Sequence, residues 1–231
     1  MALLAGLLLA ALPGCPHTPP VPPDVPLQQA VDKGDALAIA DALETLIGEG
    51  KDTGDDRQLA YDRVKQLEQP TAAYAFARGM VTGRLVQSKG LTAALLIREM
   101  EDWTKKSIAL DPQFRDGAAT RMLGTLYVLA PGSLLQGGDS EKGLELLEKL
   151  THDHPDIPEN HLRLAEAYLA LGDPDPATAP LCRAVAEKAR LVRDDQKLLE
   201  KLFRDAGEPT CPAPPAPAVP APAPPAATPA N

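Results

Sequence analysis

Leu123-Gly124-Thr125-Leu126-Tyr127 returns 41 residues later as Leu164-Ala165-Glu166-Ala167-Tyr168. On a helix, residues four apart stand one above the other, so each Leu and Tyr share a face with the small residue beside them. The small side chain lets a second helix approach, and the bulky pair fills the groove between the two. A matching second helix follows each copy. In the later unit Ala177, Leu181 and Ala184 supply the small, bulky and small positions. In the earlier unit Gly143 and Leu147 do so, with Leu150 where a small residue is expected and Pro155 closing the unit. A still earlier unit shows only its end, Ser107-Ile108-Ala109-Leu110-Asp111-Pro112. The expected fold is therefore all-α, a solenoid of stacked helical hairpins.

Outward from the repeat, apolar residues recur at helical spacing and breakers punctuate them. This pattern predicts about nine helices: Asp35–Ile47, Asp56–Gln69, Thr71–Lys89, Leu91–Leu110, Asp116–Leu129, Ser140–His152, Pro158–Leu171, Pro176–Leu191 and Asp194–Ala206. Asp55, Asp139 and Asp175 are the expected N-caps, since a short carboxylate accepts the free N–H groups of a first turn. Aromatics are 3% of the chain, no segment alternates apolar with polar residues, and Ala and Leu dominate, all of which argue against a sheet. The Leu-small-x-x-Tyr signature resembles the tetratricopeptide repeat, whose period is 34 residues. The excess length of the middle unit falls in a loop, Leu129-Ala130-Pro131-Gly132-Ser133-Leu134-Leu135-Gln136-Gly137-Gly138-Asp139. Leu134 and Leu135 either plug the core of the stack or line a ligand cleft, with plugging the favoured reading. By the phase of the repeat, Arg121, Thr125 and Val128 share the groove-lining face of the first helices with Leu162, Glu166 and Leu169. These six are the expected partner contacts.

Both ends differ from the middle. Ala2–Leu12 is an unbroken apolar run, too short to span a bilayer as a helix but fit for the core of a signal peptide. Leu12-Pro13-Gly14-Cys15 follows, and it resembles a bacterial lipobox, in which the Cys becomes a lipidated N-terminus. Two departures stand out: Pro13 is an unusual filler, and no positive charge precedes the run. The resemblance makes 1–14 a lipoprotein signal peptide, Cys15 the lipidation site, and the chain a periplasmic protein anchored to a bacterial membrane. Pro16, in place of the Asp that commonly retains lipoproteins at the inner membrane, favours the outer one. Residues 15–26 read as a Pro-rich tether, 27–207 as the helical domain, and 208–231 as a disordered Pro/Ala tail. Cys182 and Cys211 are either two free thiols or, in an oxidising compartment, a disulfide pinning the start of that tail.

The net charge of −9 and pI near 4.9 repel phosphate backbones, which excludes nucleic acid as a partner. No catalytic constellation is found, so the chain reads as a binding protein rather than an enzyme, with no cofactor and no metal. His152, His154 and His161 match no ligand spacing and read as solvated helix-end residues. Gly137-Gly138 lacks the strand and Lys of a phosphate loop. Glu145 and Lys149 read as a surface ion pair.

One family gathers these features. Ile108-Ala109-Leu110-Asp111-Pro112, Gly117-Ala118-Ala119, Leu123-Gly124-x-x-Tyr127, Ala130-Pro131, Gly138-Asp139 with Lys142, Pro158-Glu159-Asn160-His161 and Ala165-Glu166-x-Tyr168-Leu169 together resemble the TatT family. Its members are tetratricopeptide-like lipoproteins associated with TRAP transporters. The likeness covers roughly residues 70–207, and most of the matching residues are structural repeat positions. It implies a membrane-tethered periplasmic protein, homotrimeric, that docks a periplasmic solute-binding protein, with a ligand-holding cleft through the body. A different class of function, a scaffold lipoprotein in cell-envelope or surface-structure assembly, uses the same helices and tail to hold other envelope proteins.

Overall fold

A computed structural model describes residues 25–212, and all regular structure among them is helical. The ten α-helices are α1 (Val25–Lys33), α2 (Ala36–Glu49), α3 (Gly54–Leu67), α4 (Ala72–Lys89), α5 (Ala94–Leu110), α6 (Ala118–Leu129), α7 (Ser140–Asp153), α8 (Pro158–Leu171), α9 (Pro174–Ala186) and α10 (Arg193–Asp205). The most extensive contacts join α4 to α5, α6 to α7 and α8 to α9, so neighbours in sequence pack as hairpins.

Side-chain caps open four of the helices. Asp35 accepts from the N–H groups of Leu37 and Ala38 and opens α2, and Asp139 accepts from Lys142 and opens α7. Thr71 accepts from Tyr74 and opens α4. At α3 the cap is Thr53 and not the expected Asp55: the Thr53 hydroxyl accepts from the Asp56 N–H while the Asp56 carboxylate accepts from the Thr53 N–H. This reciprocal pair satisfies two first-turn donors at once. Asp175 likewise falls inside the first turn of α9, not at its cap. Helix α8 closes on Gly172, whose φ of 86° lies in the left-handed region that favours glycine.

Three predicted boundaries need correction. The tether was expected to run to residue 26 and the first helix to start at Asp35, yet α1 begins at Val25. Pro26 stands in its first turn, where a missing N–H costs nothing, and Leu27 and Ala30 bury on one face. Helix α9 starts earlier than expected and ends at Ala186, and a short 3₁₀ turn at 188–190 follows it. The helix expected from Leu91 begins as a 3₁₀ turn at 90–93 before α5 proper.

Four buried clusters run along the stack. The largest joins α1 to α4 through Leu27, Ile39, Leu43, Val64, Tyr74 and Val81. Phe76 of α4 packs on Ala118 and Ala119 of α6. Leu147 and Leu164 meet between α7 and α8, and Leu162, Leu181, Leu199 and Leu202 join α8, α9 and α10. The repeat's small residues act as expected where α6 crosses α7. A Cβ on Gly124 would lie 2.8 Å from Leu147 Cγ and 3.0 Å from the Gly143 carbonyl oxygen. Only hydrogen fits there.

Candidate functional site

Every second helix is tied to the next by polar or apolar contacts, and the last returns to the first. Arg84 of α4 donates from Nε and Nη2 to the two carboxylate oxygens of Glu44 on α2, at 2.6 and 2.5 Å. Phe76 and the paired alanines link α4 to α6. Arg121 Nη1 of α6 donates to Asn160 Oδ1 of α8 at 2.7 Å. Arg163 of α8 reaches Glu166 at 2.9 Å and Asp195 of α10 at 2.5 Å. Helix α10 then closes the circuit: Arg193 donates to the Glu49 carbonyl of α2 at 3.1 Å, and Asp194 stands 3.8 Å from Arg84. The phase of the repeat places this seam on the first helices, as a groove would require, and α10 shuts its open end.

The four arginines of the seam are not equivalent, and Arg193 donates to a backbone carbonyl. Burial opposes the charge of Arg84 and of Arg163, but nearby carboxylates outweigh it and hold both above the ordinary arginine range. Glu44 does so for the first, and Asp195 with Glu166 for the second. Arg121 has no carboxylate in contact among the described residues. Burial pushes it below the ordinary range and Arg163 adds to the effect, while Glu159, Asp195 and Asp116 oppose it without offsetting it. Its acceptor is Asn160, a fully buried amide held in turn by the His154 carbonyl. One turn along α6, the Thr125 hydroxyl is buried without a hydrogen-bond partner. An orphaned buried hydroxyl costs about 1–3 kcal/mol, and a guanidinium without a counter-ion adds to that. The α6 stretch of the seam is thus the place where a bound carboxylate or hydroxyl would repay most.

Of the six expected contact residues, the polar three, Arg121, Thr125 and Glu166, lie on this seam. The apolar three do not. Leu162 is 0% exposed inside the α8–α10 cluster, and Leu169 packs against the same cluster. Val128 packs on Leu147, Leu164 and Ala167. The 41-residue phase carries a face, but α9 and α10 cover part of it in the last unit.

The loop after α6 is clamped rather than open. Leu134 and Leu135 are half-buried, and the 3₁₀ turn at 132–134 rests on α5. Beneath it lies Glu101, a fully buried carboxylate that Lys105 meets from its own helix. Tyr127 donates its hydroxyl to Glu101 at 3.0 Å and the Gln136 N–H donates at 2.8 Å. Burial alone would raise its pKa, yet these donors together hold it below the usual carboxylate range. A Cβ on Gly138 would fall 2.2 Å from the Tyr127 ring, so the loop seats directly on the repeat tyrosine. Sequence reasoning missed Glu101. Its signal was available: an acid in the buried register Ile97, Glu101, Thr104 of an amphipathic helix.

Cys182 and Cys211 are joined in a disulfide that ties α9 to the segment after α10. Cys15 and both proline-rich ends lie outside the described residues, apart from 25–26 and 208–212. Lys149 pairs with Asp153 at 2.6 Å rather than with Glu145, because the acid one turn towards the C-terminus takes it. His161 is not a solvated helix-end residue. It is half-buried in the first turns of α8, donates from Nε2 to the Pro155 carbonyl at 2.7 Å, and burial pushes its pKa down. Among the described residues no group of three metal-binding side chains stands together, and no helix is long and apolar enough to cross a membrane. No protein-family model matches the chain, and no curated protein is recognisably similar to it.

Proposed function

We propose that this chain is a membrane-tethered periplasmic binding and scaffold protein, an accessory component of a TRAP-type uptake system that docks a solute-binding protein. The observation that carries the reading is the polar seam along α2, α4, α6, α8 and α10, where among the described residues Arg121 meets an amide rather than a carboxylate and the Thr125 hydroxyl has no hydrogen-bond partner. Helical-hairpin stacks recognise partners through such a continuous face. The Cys182–Cys211 disulfide supports residence in an oxidising compartment, in keeping with a lipid anchor on Cys15.

The test is co-purification of the full-length protein from its native envelope, combined with inspection of the neighbouring genes. Recovery of a periplasmic solute-binding protein, with TRAP permease genes adjacent, is the expected outcome. Recovery of outer-membrane assembly or polysaccharide machinery instead would replace this reading with the envelope scaffold.

A further inference from the structure

A second site lies away from the seam. The C-terminal end of α3, the connection to α4, and the facing sides of α4 and α5 enclose a cleft of about 530 Å³. Lys65, Tyr74, Arg78, Trp103 and Lys106 line it, and Glu68 is the one acid on its wall among the described residues. Three cations against one acid is a local inversion in a chain of net charge −9.

Arg78 is the unusual member. Its side chain is 3% exposed, and its guanidinium lies 5.0 Å from the Tyr61 ring centre and 5.5 Å from that of Trp103. One nitrogen, Nη2, pairs with Glu99, whose other carboxylate oxygen accepts from the Tyr61 hydroxyl at 2.8 Å. The remaining nitrogens, Nε and Nη1, are buried with no hydrogen-bond partner. Each of them shares an edge of the planar guanidinium with Nη2, whose second N–H remains beside the one that meets Glu99, and either edge matches a carboxylate. At the mouth, exposed Lys106 sits 4.5 Å over Trp103, exposed Lys65 sits 5.4 Å over the Tyr61 ring and donates to its hydroxyl at 3.4 Å, and among the described residues neither makes an ion pair. Tyr74 meets Trp103 edge to face at 5.4 Å and supplies a flat apolar wall.

We propose that this cleft binds a small organic carboxylate with a flat unsaturated body, the carboxylate taken by Arg78 and the two lysines and the body laid against Tyr74 and Trp103. Nε and Nη1 are shielded from solvent, so the ligand reaches one edge of the guanidinium, Nη2 with either Nε or Nη1, after a small rotation of the lining side chains. The site is independent of the seam and of any docked protein. It needs only this chain.

Trp103 is the only tryptophan of the protein, so its fluorescence reports this cleft alone. The full-length protein would be titrated with benzoate, acetate and inorganic phosphate, followed by that emission and by calorimetry. Benzoate is expected to give a saturable change at lower concentration than acetate, with phosphate weakest. In the Lys65→Gln/Lys106→Gln double variant, which alters exposed side chains only, benzoate binding should weaken several-fold with helicity by circular dichroism unchanged. Arg78→Lys keeps the charge but loses the fork, and should weaken it further. No saturable response to benzoate, phosphate binding at least as tightly, or benzoate binding unaltered in the double variant would each overturn the assignment. The lysine variant decides the matter even if Arg78→Lys does not fold.

Discussion

Single residues carry two of the structure's closest constraints. Gly124 lets α6 and α7 touch backbone to backbone, and Gly124→Ala would drive a methyl into Leu147 and the Gly143 carbonyl. Overpacking of this kind costs about 1–3 kcal/mol, so thermal unfolding should show a clear drop in Tm. Glu101 is the other. Its folded-state pKa is depressed, so the stabilisation it contributes is present above the ordinary glutamate pKa and is lost as pH falls through the folded value. Glu101→Gln should cost about 1–3 kcal/mol at neutral pH and speed hydrogen exchange at the Gln136 amide, because a hydrogen bond from that N–H to a buried carboxylate is replaced by a weaker one. An unchanged exchange rate at Gln136 would remove Glu101 as the clamp. Gly124 was legible in the sequence because its spacing recurs in the second copy at Ala165. The burial of Glu101 was legible in its register on α5, but its role as the clamp was not, because Tyr127 and Gln136 stand 26 and 35 residues away and nothing local announces that the loop folds back over α5.

Among the elements, α8 was read to the residue, since Pro158 opens it and Gly172 closes it. Helix α1 was missed because Pro26, following prolines at 22 and 23 in the sequence, reads as extended chain; the burial of Leu27 and Ala30 against α2 and α3 overrides that local preference. Helix α10 is amphipathic and holds the circuit shut, with Leu199 and Leu202 facing the core and Asp194 and Asp195 facing the arginines. Its far end is held by the disulfide between residues 29 apart in sequence. Cys182→Ser should therefore lower the stability of the folded chain by about 3–4 kcal/mol on the chain-entropy account, measured by denaturant unfolding without reductant. A loss no larger than that of a conservative surface change would mean that α10 stays docked without the bond.

At the scale of the whole molecule, the helices form one stack whose alternate members are tied into a circuit. The all-helical hairpin architecture was legible from 41-residue spacing, small residues and breakers. The circuit was not, because it depends on α10 returning to α2 and α4, a contact across some 144 residues that no periodicity reports. For the same reason the three polar contact residues fell on the seam while their apolar companions fell into the core. Net charge follows the same logic. With Arg84 and Arg163 already paired to carboxylates, Arg121 is the buried cation of the seam whose partner is only an amide, and an acidic surface elsewhere discourages non-specific adhesion. The direct test of the proposed docking is the affinity of the purified protein for a periplasmic solute-binding protein recovered with it from its native envelope, compared with that of Arg121→Gln. The account predicts measurable binding that weakens about tenfold or more, on the order of 1.4 kcal/mol, when Arg121 loses its charge. Equal affinity for both forms, or no binding by either, would contradict it.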